Sequence, residues 1–96
     1  MNRTFKITRE DVYKSIDSER TYQDIRWNGD TTITDGIHPL SEWFMFIEDY
    51  VDEAKHILSR EAEQTAYPKV AHIMRKVAGM AVCAMEQNGA PKREIK

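Results

Sequence analysis

Residues 40–60 read LSEWFMFIEDYVDEAKHILSR, and this stretch decides the fold. Leu40, Trp43, Phe44, Ile47, Val51, Ala54 and Leu58 recur every three or four residues, the spacing of one helix face. At about 100° per residue the arc continues sideways through Trp43 into Phe46, Tyr50 and Ile57, to a width of roughly 160°. That is broader than one partner helix requires. Pro39 sits at the first helical position, where its missing N–H costs nothing.

Working outward, residues 68–87 read PKVAHIMRKVAGMAVCAMEQ. Val70, Ile73, Met74, Val77, Met80, Ala81, Ala84 and Met85 share one face, and Ala71, Ala78 and Val82 widen it to about half the circumference. Asn88-Gly89 and Pro91 stop this helix, and residues 61–66 form a polar connection before it. Upstream, Thr8 with Asp11 three residues on reads as an N-cap. No Pro or Gly interrupts 9–27, whose narrow stripe of Val12, Ile16, Tyr22 (or Tyr13) and Ile25 calls for a partner surface. Between them, 28–38 read NGDTTITDGIH, a loop with two turn pairs, Asn28-Gly29 and Asp35-Gly36. A short extended piece at Thr31 to Thr34 finds no strand partner elsewhere in the chain.

The expectation is a single all-α domain over residues 1–96, with helices at about 9–27, 40–60 and 68–87 and a basic tail at 90–96. A chain of 96 residues is too short for two cores and buries little apolar surface alone. Two over-wide apolar arcs therefore point to an oligomeric helical bundle, against the alternative of a compact monomer with Met-rich packing.

Composition narrows the function classes. Hydrophobic residues make up 41% and charged residues 31%, a globular rather than a disordered balance. A net charge of −2 excludes a general electrostatic grip on long nucleic acid. The single cysteine, Cys83, excludes a disulfide scaffold and a cysteine zinc cage. There is no apolar run of membrane-spanning length and no signal-peptide pattern at the N-terminus, so the expected setting is the cytoplasm, without a membrane partner.

Three groups of residues carry chemistry. Glu48, Asp49, Asp52 and Glu53 put carboxylates on neighbouring turns, a pattern that suits a hard cation such as Mg²⁺ or a solvated helix face. On the third helix His72, Arg75, Lys76, Gly79, Cys83 and Glu86 make a polar strip, either an anion site at Arg75-Lys76 or a face turned to solvent. In the first helix Arg20, Tyr22, Arg26 and Trp27 combine cations with aromatic rings, a set suited to a phosphate and a stacked base or to plain amphipathic packing.

Glu19-Arg20, Tyr22-Gln23-Asp24 and Trp27, then His38, Glu42-Trp43, Ile47-Glu48 and Glu53-Ala54, then Lys76-Val77-Ala78, Ala81-Val82 and Met85-Glu86 together resemble the small MazG-like proteins of phage and bacterial genomes. These are similar to the all-α nucleoside triphosphate pyrophosphohydrolases, and the resemblance spans about residues 19–89. It implies a dimeric or tetrameric helical fold in which two acidic pairs hold Mg²⁺ and the metal activates water against the α–β phosphate linkage. Carried over by position, the first acidic pair falls on Tyr50 and Glu53 and the second on Lys76 and Gly79, so only Glu53 is an acid. Shifting the first pair to Asp49 and Asp52 restores it, but no shift restores the second, because residues 75–85 contain no carboxylate.

A lysine in place of a metal-ligating acid neutralises phosphate without making a nucleophile. The resemblance and its departures together imply a non-catalytic, homo-oligomeric protein that binds a nucleotide-type small molecule. Its implied ligand residues are Arg20, Tyr22, Arg26, Trp27, Trp43, Tyr50, Glu53 and Lys76, with no metal or cofactor. In a phage setting such a protein would sequester a nucleotide signal of host immunity in the host cytoplasm. Two alternatives stand beside it: a Mg²⁺-dependent pyrophosphohydrolase using Glu48, Asp49, Asp52 and Glu53, and a structural or adaptor helical protein.

Overall fold

The computed structural model describes residues 6–27 and 37–95, and among them every regular element is an α-helix. Helix α1 spans Arg9–Trp27, α2 spans Leu40–Arg60 and α3 spans Glu63–Asn88. The turn pairs at 28–29 and 35–36, and the extended piece at 31–34, lie outside the described residues.

Each helix end has a local cause. Thr8 caps α1 as its sequence position implies: its Oγ1 accepts from the Asp11 N–H at 3.1 Å, and its carbonyl accepts from the Val12 N–H at 3.0 Å. Pro39 is the residue before α2 rather than its first helical residue, in an extended conformation with its carbonyl bonded to the N–H groups of Glu42 and Trp43. Gly89 ends α3 at φ 104°, where its N–H donates to the Met85 carbonyl at 2.8 Å.

The start of α3 differs from its expected place. It begins at Glu63, so Pro68 lies inside the helix instead of opening it. The extra turn is held at Ala62, whose carbonyl accepts from the N–H groups of Thr65 and Ala66 and from the Thr65 hydroxyl. Lys69 then reaches back to Glu61, with contacts of 2.8 and 3.0 Å. This pairing draws the Glu61 carboxyl below its usual range. Proline at the sixth helical position forfeits one backbone hydrogen bond near the N-terminus, a loss that this network offsets.

Helices α2 and α3 form an antiparallel hairpin, since Trp43 meets Gln87 while Tyr50, two turns further along α2, meets Lys76. Its core is Trp43, Met80, Cys83 and Ala84, with Trp27, Ile47 and Tyr50 packed against it. The half-buried row Ile47, Tyr50, Ala54 and Ile57 extends from Trp43 along α2. The inner face of α2 is thus the flank through Trp43, Tyr50 and Ile57. Leu40, Phe44, Val51 and Leu58, expected as the main stripe, are exposed in the single chain.

Helix α1 reverses its expected orientation. Val12, Tyr13, Tyr22 and Ile25 are exposed, and only Ile16 of the anticipated stripe is half-buried. The face that packs is polar: Glu19 and Gln23 are 5% and 4% exposed. The reason lies on α3, whose polar strip is the seat for α1. Arg75 Nε donates to Glu19 Oε1 at 2.7 Å, and Gln23 Nε2 donates to the Lys76 carbonyl at 3.2 Å. Arg20 binds Glu86 through two nitrogens, at 2.6 and 3.2 Å. Neighbouring residues of α1 thereby reach positions eleven residues apart on α3, so α1 crosses α3 instead of running along it.

Gly79 sits at that crossing. A Cβ there would lie 2.9 Å from Glu19 Cγ and 2.9 Å from Gln23 Nε2. Only glycine lets the two helices approach this closely. The strip through Arg75, Gly79 and Glu86, with the Lys76 carbonyl, is accordingly an interhelical contact rather than a solvated face; Cys83 joins the core with Trp43, and His72 lies outside the contact and is exposed.

Candidate functional site

The polar crossing holds α1 above the α2–α3 hairpin and leaves a cavity of about 760 Å³ between the three helices. That lies within the usual range for small-molecule sites, roughly 300–1,000 Å³. Glu19, Tyr22, Gln23, Arg26 and Trp27 line it from α1, together with Trp43, Phe46, Asp49, Tyr50 and Glu53 from α2 and Lys76 and Met80 from α3. His38 closes the end near the start of α2.

Of the residues implicated by sequence, Tyr22, Arg26, Trp27, Trp43, Tyr50, Glu53 and Lys76 converge on this one cavity. Arg20 does not. Its guanidinium is taken up by Glu86 and by Asp24 at 2.6 Å, and its side chain is 11% exposed. The Glu86 hydrogen bond raises its already high pKa further, so Arg20 is a fixed structural cation. The acidic group divides as well: Asp49 and Glu53 face the cavity, whereas Glu48 and Asp52 do not line it. Among the described residues no three His, Cys, Asp or Glu side chains are grouped to hold a metal ion.

Aromatic rings form one end of the site. Trp27 and Trp43 lie 6.3 Å apart at 44°. His38 stands edge-on to Trp43 and to Phe46, at 5.6 and 5.2 Å, and Trp43 meets Phe46 at 5.9 Å in a T-shaped contact. Two tethers fix this cluster. Gln87 Oε1 accepts from Trp43 Nε1 at 2.9 Å and from the His38 N–H at 3.0 Å, and His38 Nδ1 lies 2.8 Å from Glu42 Oε1. Asn88 adds a bond to the His38 carbonyl at 3.1 Å. The last turn of α3 therefore locks the first turn of α2 and its indole.

At the other end Lys76 lies over the Tyr50 ring, its Nζ 5.6 Å from the centroid. Such a cation–π contact orients the ammonium while leaving donors for a ligand. Arg26 from α1 and Lys76 from α3 give the cavity two cations, and Asp49 and Glu53 give it two carboxylates one turn apart. A ligand with a flat ring and an anionic group fits this division, with the ring among the indoles and the anion between Arg26 and Lys76.

Sequence reasoning missed Glu19, Gln23, His38, Phe46 and Met80 as lining residues, and had Asp49 only in the acidic group of the alternative, Mg²⁺-dependent reading. One signal was present: an acid and an amide on one face of α1 match the cations and the glycine on one face of α3. Reading that match requires knowing that α1 crosses α3.

No known protein family, curated protein or solved structure matches this chain.

Proposed function

We propose that this chain is a non-catalytic, homo-oligomeric helical protein of the MazG-like kind, which binds a nucleotide-type small molecule in the cavity under α1. The observation that carries this reading is the convergence of Tyr22, Arg26, Trp27, Trp43, Tyr50, Glu53 and Lys76 on one cavity of about 760 Å³. Its mixture of rings and cations is what a base joined to phosphate requires. Glu53 would accept from a ribose hydroxyl or a base amine. In a phage-encoded setting, binding without turnover would remove a nucleotide immune signal from the host cytoplasm. Among the described residues no helix is long and apolar enough to cross a membrane, in keeping with a diffusible ligand.

Lys76 carries the distinction from an enzyme. A lysine beside phosphate supplies charge but neither binds Mg²⁺ nor generates hydroxide. The test is calorimetric titration with linear and cyclic nucleotides, with and without Mg²⁺. Binding should need no metal, and Lys76→Ala should weaken it by about 1.5–3 kcal/mol, roughly ten- to a hundredfold. Pyrophosphate release that requires Mg²⁺ and vanishes in Glu53→Gln would replace this reading with a pyrophosphohydrolase. The absence of any nucleotide binding below millimolar concentration would replace it with an adaptor.

A further inference from the structure

The cavity carries its chemistry in an order, and the rise of α2 sets that order. Phe46, Asp49, Tyr50 and Glu53 follow Trp43 along the flank of this helix that lines the cavity. At about 1.5 Å of rise per residue, Asp49 stands about 4.5 Å past Phe46, and Glu53 stands about 6 Å past Asp49. The rings of Trp43 and Phe46 hold one end. Toward the other, Lys76 lies over the Tyr50 ring. Asp49 therefore comes between the place for a flat ring and the place for an anion, while Glu53 stands a further turn from the rings.

Helix α1 supplies a second acceptor at the same level. Trp43 meets Gln87 and Tyr50 meets Lys76, so the antiparallel hairpin sets Asp49 near the level of Gly79 and Met80. Gln23 sits over that stretch of α3, bonded to the Lys76 carbonyl and packed on Gly79. It lines the cavity and is 4% exposed, and its Oε1 has no hydrogen-bond partner among the described residues. Asp49 likewise has neither an ion pair nor a hydrogen bond among them. The middle of the cavity thus holds two unpaired acceptors, one on each wall. A buried acceptor left unpaired is costly, so a ligand that brings donors to this level is favoured.

In a nucleotide the group between base and phosphate is the sugar, and the donors that ribose offers are hydroxyls. A base amine would lie with its ring among the indoles, a turn short of Asp49. We infer that Asp49, with Gln23 on the facing wall, accepts from the ribose hydroxyls of the ligand and makes the cavity selective for ribonucleotides over 2′-deoxyribonucleotides. This rests on the nucleotide reading of the cavity and adds which sugar it takes. A hydroxyl bonded to a carboxylate makes a charge-assisted bond. A deoxy sugar leaves the desolvated carboxylate unpaired, which is how a site built to bond a hydroxyl rejects the analogue that lacks it. Arg26 and Lys76 hold the phosphate of either sugar alike, so discrimination belongs to Asp49.

Calorimetric titration tests it, with ATP, GTP, CTP, UTP and the cyclic monophosphates of adenosine and guanosine, each against its 2′-deoxy counterpart. Where wild type binds, the ribo form should bind about ten- to a hundredfold more tightly than the deoxy form. Asp49→Ala should bring that ratio close to one. Asp49 is exposed and unpaired within the chain, so this variant should keep its helix content. Removing a carboxylate raises the affinity for any anion, but it does so equally for both sugars and leaves the ratio alone. Glu48→Ala removes the same charge from the same helix outside the cavity, and should keep the wild-type ratio. Equal binding of the two sugars by wild type would overturn the inference and leave the nucleotide reading standing. A ratio that survives Asp49→Ala, or that Glu48→Ala abolishes equally, would do the same. Failure of every ribo and deoxy form to bind would overturn both.

Discussion

Helix α3 is gripped on two sides by unlike chemistry. Its contact with α2 is apolar, with Trp43 set against Met80, Cys83 and Ala84. Its contact with α1 is polar, built from Glu19, Arg20 and Gln23 against Arg75, the Lys76 carbonyl and Glu86. The first contact gains from water leaving apolar surface and tolerates small shifts. The second depends on geometry, since a buried polar group repays its desolvation only when its partners are in place. Two buried atoms of this contact, Arg20 Nη1 and Gln23 Oε1, have no hydrogen-bond partner among the described residues. The α2–α3 contact therefore holds the fold, and the α1–α3 contact positions the roof of the cavity at modest net stability.

The largest effect should come from the apolar side. Trp43→Ala removes a buried indole together with its bond to Gln87, and should cost about 3–5 kcal/mol in chemical denaturation. Against the total stability of a small domain, such a loss unfolds most of the chain. On the polar side Arg75→Ala strands the buried Glu19 carboxylate, but Arg75 is itself partly exposed, which limits the effect to about 1–3 kcal/mol. Hydrogen exchange should then show α1 opening while the α2–α3 hairpin stays protected. Equal loss of protection in both regions would erase the distinction between the two contacts.

Gly79→Ala sharpens the comparison without removing a charge. The new methyl meets Glu19 Cγ, an overpacking cost of about 1–3 kcal/mol, which the helix propensity of alanine offsets by about 1 kcal/mol. Global stability should change little, while α1 is pushed off its seat. The fluorescence of the Trp27–Trp43 pair reports that displacement directly.

The smallest effect concerns Cys83. Burial pushes its thiol pKa up, so the folded chain favours the neutral form. The sign follows: this contribution is complete below the ordinary thiol range and is lost as pH rises through and above it, when the unfolded thiol ionises first. Alkylation of Cys83 in the native protein should be slower than in denaturant at the same alkaline pH. Equal rates would mean that the α3 core opens readily.

How far the sequence led differs between these same two contacts. The rhythm of α2, the glycine stop at Gly89 and the Thr8 cap are local signals, so helix limits and the Trp43–Tyr50 flank were readable from spacing. Pro68 misled because proline marks helix starts more often than it is overridden, and here the Ala62 carbonyl and the Glu61–Lys69 pair extend the helix past it. The face of α1 was unreadable by hydropathy, since its apolar Val12, Tyr13 and Ile25 face outward and its acid and amide face inward. That choice is made by Arg75 and Gly79, some fifty residues away in sequence. Most of the candidate site was still legible, because aromatic and basic residues that line a shared cavity are conspicuous residue types wherever the helices place them. Arg20 looked like one of them until Glu86 and Asp24 were seen to occupy it.

We propose that the cavity roofed by α1 holds a nucleotide-type ligand without turning it over. This is tested most directly by purifying the protein from cells that make its ligand, releasing bound small molecules by heat, and identifying them by mass spectrometry. The expected product is an intact phosphate-bearing nucleotide, about one per chain, whose recovery falls sharply in Lys76→Ala. Recovery of hydrolysis products with free pyrophosphate, or of no nucleotide at all, would contradict it.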